Sequence, residues 1–378
     1  MFRKLFAMAM AALMMLTGTA AMADPFEELQ PVAPEEPIET DAENVRIVAT
    51  YDSETGRSTY RLTLKDGAAF ADGTAITAQD LIFTYYYYLD PGYDGQTSLD
   101  GLEIPGLASY RMQCAPERLE QLLEMMTAID AAGEDHVWSE SDGWSEALQE
   151  TYWSLYADYR AAADAQFPVL AQMLVDYYSA NIPSGGALGY TAEEIAASDD
   201  LKVAYTMVTW GYATYSEDAG ELITTRSRRV WNIADGLLPN VDDFGAELSL
   251  VYDGDLAVCW ATECPDPSAA VPELPDVETE FLRAAIGDAL DEVGSIDGIR
   301  MIDDATVEVD LEGINVSSAG ALFGIDVFSL SACGDASQWD PDAGLYGHPF
   351  GDVSGVQAEG GVRIYEADST FGSLISGQ

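Results

Sequence analysis

The sequence predicts a mixed α/β fold, with strand-rich stretches near the start and in the last third and a long helical stretch between them. Two candidate hairpins carry the strand part. Residues 45–51 and 59–64 are β-branched and aromatic, alternate in polarity, and are separated by a turn with Gly56. Residues 298–302 and 306–311 repeat that arrangement around Asp303-Asp304-Ala305. The third observation is helical periodicity in the middle, where Leu119, Leu122, Met126 and Ile129 recur at three- and four-residue spacing, as do Leu148, Tyr152, Leu155, Tyr156 and Tyr159.

In chain order, the first 23 residues read as a secretory signal peptide. Arg3 and Lys4 precede an apolar run over 5–16, and Ala21-Met22-Ala23 is a small-x-small cleavage site. That run is short of the roughly 20 apolar residues a membrane span needs, so the expected product is exported, periplasmic or secreted, and starts at Asp24. Residues 24–44, rich in Pro and Glu and without periodicity, read as a flexible acidic lead-in. The segment 45–113 opens the main fold. Lys65-Asp66-Gly67 ends its second strand and Ala71-Asp72-Gly73-Thr74 forms another turn. Thr77 caps a helix with Asp80 three residues on, Ile76 and Leu81 form a hydrophobic staple, and the helix stops before Asp90-Pro91-Gly92. Its run Tyr85 to Tyr88 faces all sides of a helix, so half is expected in the core. Residues 114–280 read as a mostly helical insertion with a second capping box at Thr191 and Glu194, ending in a Pro-rich connector over 265–275. Residues 281–378 return to strands and then to a tail rich in Gly, Asp and Ser.

Composition narrows function. The formal charge is -50, and Lys4, Lys65 and Lys202 are the only lysines. Phosphate binding needs clustered Lys and Arg, so nucleic acid is excluded as a partner. The acidity keeps the chain soluble and attracts cations; an acidic surface selected by habitat accounts for it equally well. With 48% hydrophobic residues a real core can form.

Chemistry is sparse. There is no Gly-x-Ser-x-Gly, and His136 and His348 are the only histidines, so no catalytic residue is assigned and the chain reads as a non-enzyme. Cys259 and Cys264 flank Trp260, and their proximity fits a disulfide in an oxidising compartment better than a metal; no metal and no cofactor is expected. Arg226, Arg228 and Arg229 form one basic island able to hold a ligand carboxylate by forked hydrogen bonds, against the alternative of pairing with neighbouring acids. Trp210 and Trp231, like Trp138, Trp144 and Trp153, are candidates for stacking on a ligand, with core packing as the alternative.

The order of elements over 62–91 is specific: a strand, Lys65-Asp66-Gly67, Phe70-Ala71-Asp72-Gly73-Thr74, the helix start Thr77-Ala78-Gln79-Asp80-Leu81, and Leu89-Asp90-Pro91 at its end. It resembles the family 5 extracellular solute-binding proteins of ABC transporters, the peptide- and nickel-type group. The hairpin within 293–311 and the stretch Leu345-Tyr346-Gly347-His348-Pro349-Phe350-Gly351-Asp352 are similar to later parts of the same family. The resemblance implies a periplasmic-binding-protein-like lobe carrying the helical insertion, and capture of a peptide or similar small solute for ABC permease subunits in transmembrane transport. It also has departures. The family's crossing to its second lobe is replaced by Glu359-Gly360-Gly361-Val362-Arg363-Ile364-Tyr365. The expectation is a member shortened at both ends, with its second lobe largely missing or supplied by a separate chain. The competing expectation is a truncated structural homologue that binds another exported protein without capturing a solute.

Overall fold

The computed structural model describes residues 36–314 and 318–365. The predicted leader and most of the lead-in lie outside them. In chain order the first part contains strands β1 (Ile38–Asp41), β2 (Val45–Asp52) and β3 (Arg57–Leu64), then helices α1 (Ala78–Leu89), α2 (Leu107–Met112) and α3 (Pro116–Ala132). The middle contains α4 (Glu146–Asp164), α5 (Phe167–Ser179), α6 (Ala192–Ala197) and α7 (Asp199–Thr209). Strands β4 (Ala213–Ser216), β5 (Glu221–Thr224) and β6 (Val230–Asn232) follow, and then α8 (Val241–Val251), α9 (Leu256–Glu263) and α10 (Val277–Ile286). Strands β7 (Ile299–Asp303) and β8 (Thr306–Glu312) lead into short elements. These residues form two compact units: unit 1 combines the chain up to Glu120 with that from Asp288 onward, and unit 2 is Gln121–Gly287. No described helix is long and apolar enough to cross a membrane.

Unit 1 is built on an antiparallel sheet of order β1-β2-β3-β8-β7, so the two predicted hairpins share one sheet. Alternation decides its faces. Val45, Ile47 and Ala49 of β2 and Tyr60, Leu62 and Leu64 of β3 are buried, while Arg46 and Arg61 point to solvent. Tyr60 lies opposite Val309 and Leu62 opposite Val307, which makes one continuous apolar face. Helix α1 lies on it through Leu81, Ile82, Tyr85, Tyr86 and Leu89. Burying each such side chain contributes about 1.5–3 kcal/mol. The staple residues Ile76 and Leu81 are both in this core. Of the tyrosine run, Tyr85 and Tyr86 are buried and Tyr87 and Tyr88 half-buried.

The helix start is fastened twice. Asp80 Oδ2 accepts the Thr77 N–H at 2.9 Å and the Thr77 hydroxyl at 2.8 Å, and Oδ1 accepts the distant Leu330 N–H at 2.8 Å. The turns before it need glycine, with φ of +97° at Gly67 and +89° at Gly73. The outer face of the sheet holds cross-strand ion pairs. Arg61 meets Glu308, Arg300 meets Asp310 at 2.8 Å, and Arg57 meets Glu312 at 3.3 Å. One expectation needs correction here: part of the lead-in is ordered. Strand β1 lies inside 24–44 and pairs with β2 from Ile38 opposite Ala49 to Asp41 opposite Arg46. Its four residues are too few to show an alternation.

Unit 2 has two apolar clusters. In one, α5 packs against α8, and a side chain at Gly245 would meet the backbone of Phe167 and Pro168 within 3 Å, so glycine sets that close approach. Leu170, Leu174, Phe244, Leu248 and Leu256 are fully buried there. In the other, α4 packs on α10 through Tyr152, Phe281 and Val277. The helical periodicity gives no sign of a sheet in this stretch, yet β4, β5 and β6 form a three-stranded antiparallel one.

Candidate functional site

Three segments of unit 2 converge on one recess: the end of α7, the turn after β5, and the stretch from the end of α8 through α9. Trp210 caps α7, and Gly211 and Tyr212 follow it. Val251 and Tyr252 close α8, Glu263 ends α9, and Thr225 follows β5. Together they line an open recess of about 400 Å³. The walls are an indole, two phenols, a valine, a hydroxyl and a carboxylate.

Hydrogen bonds organise this set around Glu263. Its Oε2 accepts the Trp210 indole N–H at 2.5 Å, and its Oε1 accepts the Tyr252 hydroxyl. Burial and the hydrogen bond to Glu263 push the Tyr252 phenol up to about 12. Tyr212 is raised further, by burial first and then by its hydrogen bonds with Glu263 and Tyr252. Both phenols therefore keep their protons near neutral pH. The Trp210 ring packs on Tyr178 with centroids 4.7 Å apart and planes 30° apart, and the residue remains 45% exposed. Thr225 is held by its N–H to Tyr212 O at 2.9 Å and its hydroxyl to Gly211 O at 2.8 Å.

The basic island lies on the adjoining turn. Glu247 of α8 is 1% exposed, and its carboxylate accepts the backbone N–H groups of Arg226 and Ser227. This fixes the turn and displays the three arginines. Two of them are engaged: Arg226 pairs with Asp253 at 3.4 Å, and Arg229 pairs with Asp243 at 2.6 Å. Arg229 also lies 3.9 Å over the Trp231 ring. Arg228 sits at φ 59° and makes no ion pair among the described residues. The three residues therefore share one turn, with acid pairing at two of them. Trp231 is half-buried against the unit 2 core and, unlike Trp210, does not line the recess.

Cys259 and Cys264 are free thiols, in place of the disulfide their spacing allows. Cys259 points into the unit 2 core from within α9, while Cys264 ends that helix and donates to Asp266 O. Burial, with Glu263 and Asp255 nearby, raises the Cys259 thiol to about 12. His136 is hydrogen-bonded to Asp142 at 2.9 Å in a loop. His348 is buried in unit 1, with Nδ1 3.9 Å from Asp90. Trp138, Trp144 and Trp153 are packed beside α4 or bonded to neighbours: the Trp138 indole donates to Trp144 O and that of Trp144 to Gln149. Among the described residues, no group of three or more His, Cys, Asp or Glu side chains is placed to hold a metal.

Sequence reasoning singled out Trp210 but missed Tyr178, Tyr212, Tyr252 and Glu263. Tyr252 precedes an Asp-Gly turn and Glu263 is one acid among 66 Asp and Glu. Neither carries a local signal.

Residues 45–132 match the family model of bacterial extracellular solute-binding proteins, family 5 (middle). The matched span runs from β2 through α3 and includes the Thr77–Asp80 helix start. Members of that family in general bind solutes outside the cytoplasm for ABC transport and are not enzymes. No curated protein and no solved structure matches the chain.

Proposed function

We propose that this chain is an extracytoplasmic solute-binding protein that captures a peptide or similar small solute and hands it to the permease subunits of an ABC importer, with no chemistry on the ligand. The observation that carries this reading is the family match over 45–132, which coincides with strands and a capped helix packed as one core. Export by a leader cleaved before Asp24 belongs to the same reading; a mature protein that begins elsewhere by mass spectrometry would reject that part. We assign the solute contact to the recess at Trp210, with Arg228 on the adjoining turn available to a ligand carboxylate. Arg226, Arg229 and Trp231 support the turn rather than meet the ligand.

A binding protein that closes two lobes over a solute buries it on both sides. We infer that the open recess at Trp210 by itself offers one wall to a solute. Contact is then roughly halved while the ordering cost of association remains, which gives an expected dissociation constant of about 0.1 mM or weaker. Isothermal titration with a pool of short peptides tests this. Binding should weaken as salt rises, since the chain's charge of -50 favours cationic peptides. It should also fall in Trp210→Ala. No heat with any peptide, together with a stable complex with another exported protein, would establish the interaction homologue instead.

A further inference from the structure

We propose that the recess between Trp210 and Glu263 recognises the ammonium head of an organic cation. The inference rests on the solute-capture reading and narrows its ligand class.

Charge comes first. The recess is lined by one acidic side chain, Glu263, and by no basic one. Arg226, next in sequence to the lining residue Thr225, is paired with Asp253. An anion would meet the carboxylate, and a neutral apolar group would strip water from it without replacing its hydration. A cation satisfies it.

The second argument is the aromatic wall. Trp210, Tyr212 and Tyr252 surround the carboxylate, and the negative faces of such rings attract cations, the indole most strongly. One face of the Trp210 indole is packed on Tyr178, yet the residue is 45% exposed, so its opposite face is open. Preorganisation is the third. Trp210 and Tyr252 donate to different oxygens of Glu263 and Tyr212 also hydrogen-bonds it, which locks the carboxylate in place while its negative charge stays without a cation in the recess. The phenols stay protonated, because burial and Glu263 hold their proton, so they remain donors to Glu263. The volume of about 400 Å³ lies at the small end of the roughly 300–1,000 Å³ range of ligand sites. It suits a quaternary or alkyl ammonium, free or at the end of a lysine side chain, and is too small for a folded partner.

The test is nitrogen-15 indole NMR on the full chain, with the Trp210 peak assigned by its loss in Trp210→Phe. Choline chloride and butylammonium chloride are the probes, sodium chloride at matched ionic strength is the salt control, and 3,3-dimethyl-1-butanol is the uncharged isostere of choline. Saturable shifts of the Trp210 peak with either ammonium, and none with the alcohol or the salt, support the proposal. Glu263→Gln should then weaken binding by at least about tenfold. If that variant loses its dispersed indole spectrum, calorimetry on Trp210→Leu, which keeps the carboxylate, should show the same loss. Equal shifts with the neutral alcohol, or undiminished binding by a folded Glu263→Gln, overturn it. A lysine-containing dipeptide that moves the Trp210 peak identifies a peptide side chain as the source, and choline acting alone identifies a free cation. Peptide binding that leaves Trp210 unmoved, with both ammonium salts silent, overturns the ammonium site while leaving solute capture standing.

Discussion

Asp80 in unit 1 and Glu247 in unit 2 perform the same structural task from opposite positions in their helices. Each is a buried carboxylate that accepts backbone N–H groups from a segment remote in sequence. Asp80 holds Leu330 while closing its own helix start, and Glu247 holds the turn at Arg226 and Ser227 from the middle of α8. Asp80 belongs to a local pattern, three residues after a Thr cap, that announces its structural use. Glu247 follows Asp242 and Asp243 on an acidic helix and resembles any solvated acid until the fold is seen. Asp80 thus also satisfies a local rule, whereas Glu247 satisfies only a tertiary one.

The harshest way to break unit 1 is a charge in its sheet. Leu62→Asp places a carboxylate opposite Val307 on a face with no cation, and the expected cost of several kcal/mol leaves no folded unit. Circular dichroism and urea melts read this directly, and near-native melting would show that Leu62 does not face the core.

The comparison itself is sharpened by Asp80→Ala and Glu247→Ala. Each leaves buried backbone donors without an acceptor, at an expected cost of about 2–4 kcal/mol. The amide variants Asp80→Asn and Glu247→Gln should recover part of that loss, because one acceptor oxygen remains where the site uses two. A Glu247→Ala protein as stable as the parent would mean that the arginine turn is held by its own strands alone.

Alkali acts next. Burial pushes the Tyr60 and Tyr88 phenols of unit 1 up to about 12. Each holds its proton more tightly in the folded state than in the unfolded chain, where it titrates near 10. Their contribution is therefore complete below about pH 10 and is lost as pH rises from there through 12. Urea midpoints should stay level up to that range and then fall; a level midpoint throughout would contradict the burial.

Single ion pairs come lower. Arg61→Ala on the sheet and Arg229→Ala on the turn should each cost under about 1 kcal/mol, since both arginines are more than half exposed. Arg229 should cost slightly more, because it also covers Trp231. The smallest expected effect is that of a reductant. With Cys259 and Cys264 as free thiols, melting should be unchanged by reduction, and Cys264 should react with a thiol reagent well before the buried Cys259. A lower melting temperature on reduction would restore the disulfide.

Much of unit 1 is legible in the sequence because its rules are local. Alternation in 45–51 and 59–64 gives two strands, the capping pair gives the helix, and the Asp-Gly turns give the connections. Strand β1 escapes because four residues cannot display a period. The sheet of unit 2 escapes for the same reason, with strands of three or four residues. The recess is hardest to see. Trp210, Thr225 and the pair Tyr252 and Glu263 come from three separate stretches, and only packing brings them together. The arginine triplet, conspicuous in an acidic chain, points to the adjoining turn, where two of its three members meet acids.

The placement of the tryptophans has an optical consequence. Of seven in the chain, Trp339 alone lies in unit 1, beside Tyr346 with ring centroids 6.1 Å apart. The stacked rings of the unit 1 core are tyrosines instead, with Tyr86 and Tyr346 only 3.4 Å apart. Excitation at the red edge of the absorption band, where phenols no longer absorb, therefore reports chiefly on unit 2. The 20 tyrosines divide evenly between the two units, so tyrosine absorbance reports on both. Replacing Trp339 with phenylalanine would make the emission spectrum an internal label for unit 2, and its melting could be compared with the whole-chain signal in one cuvette.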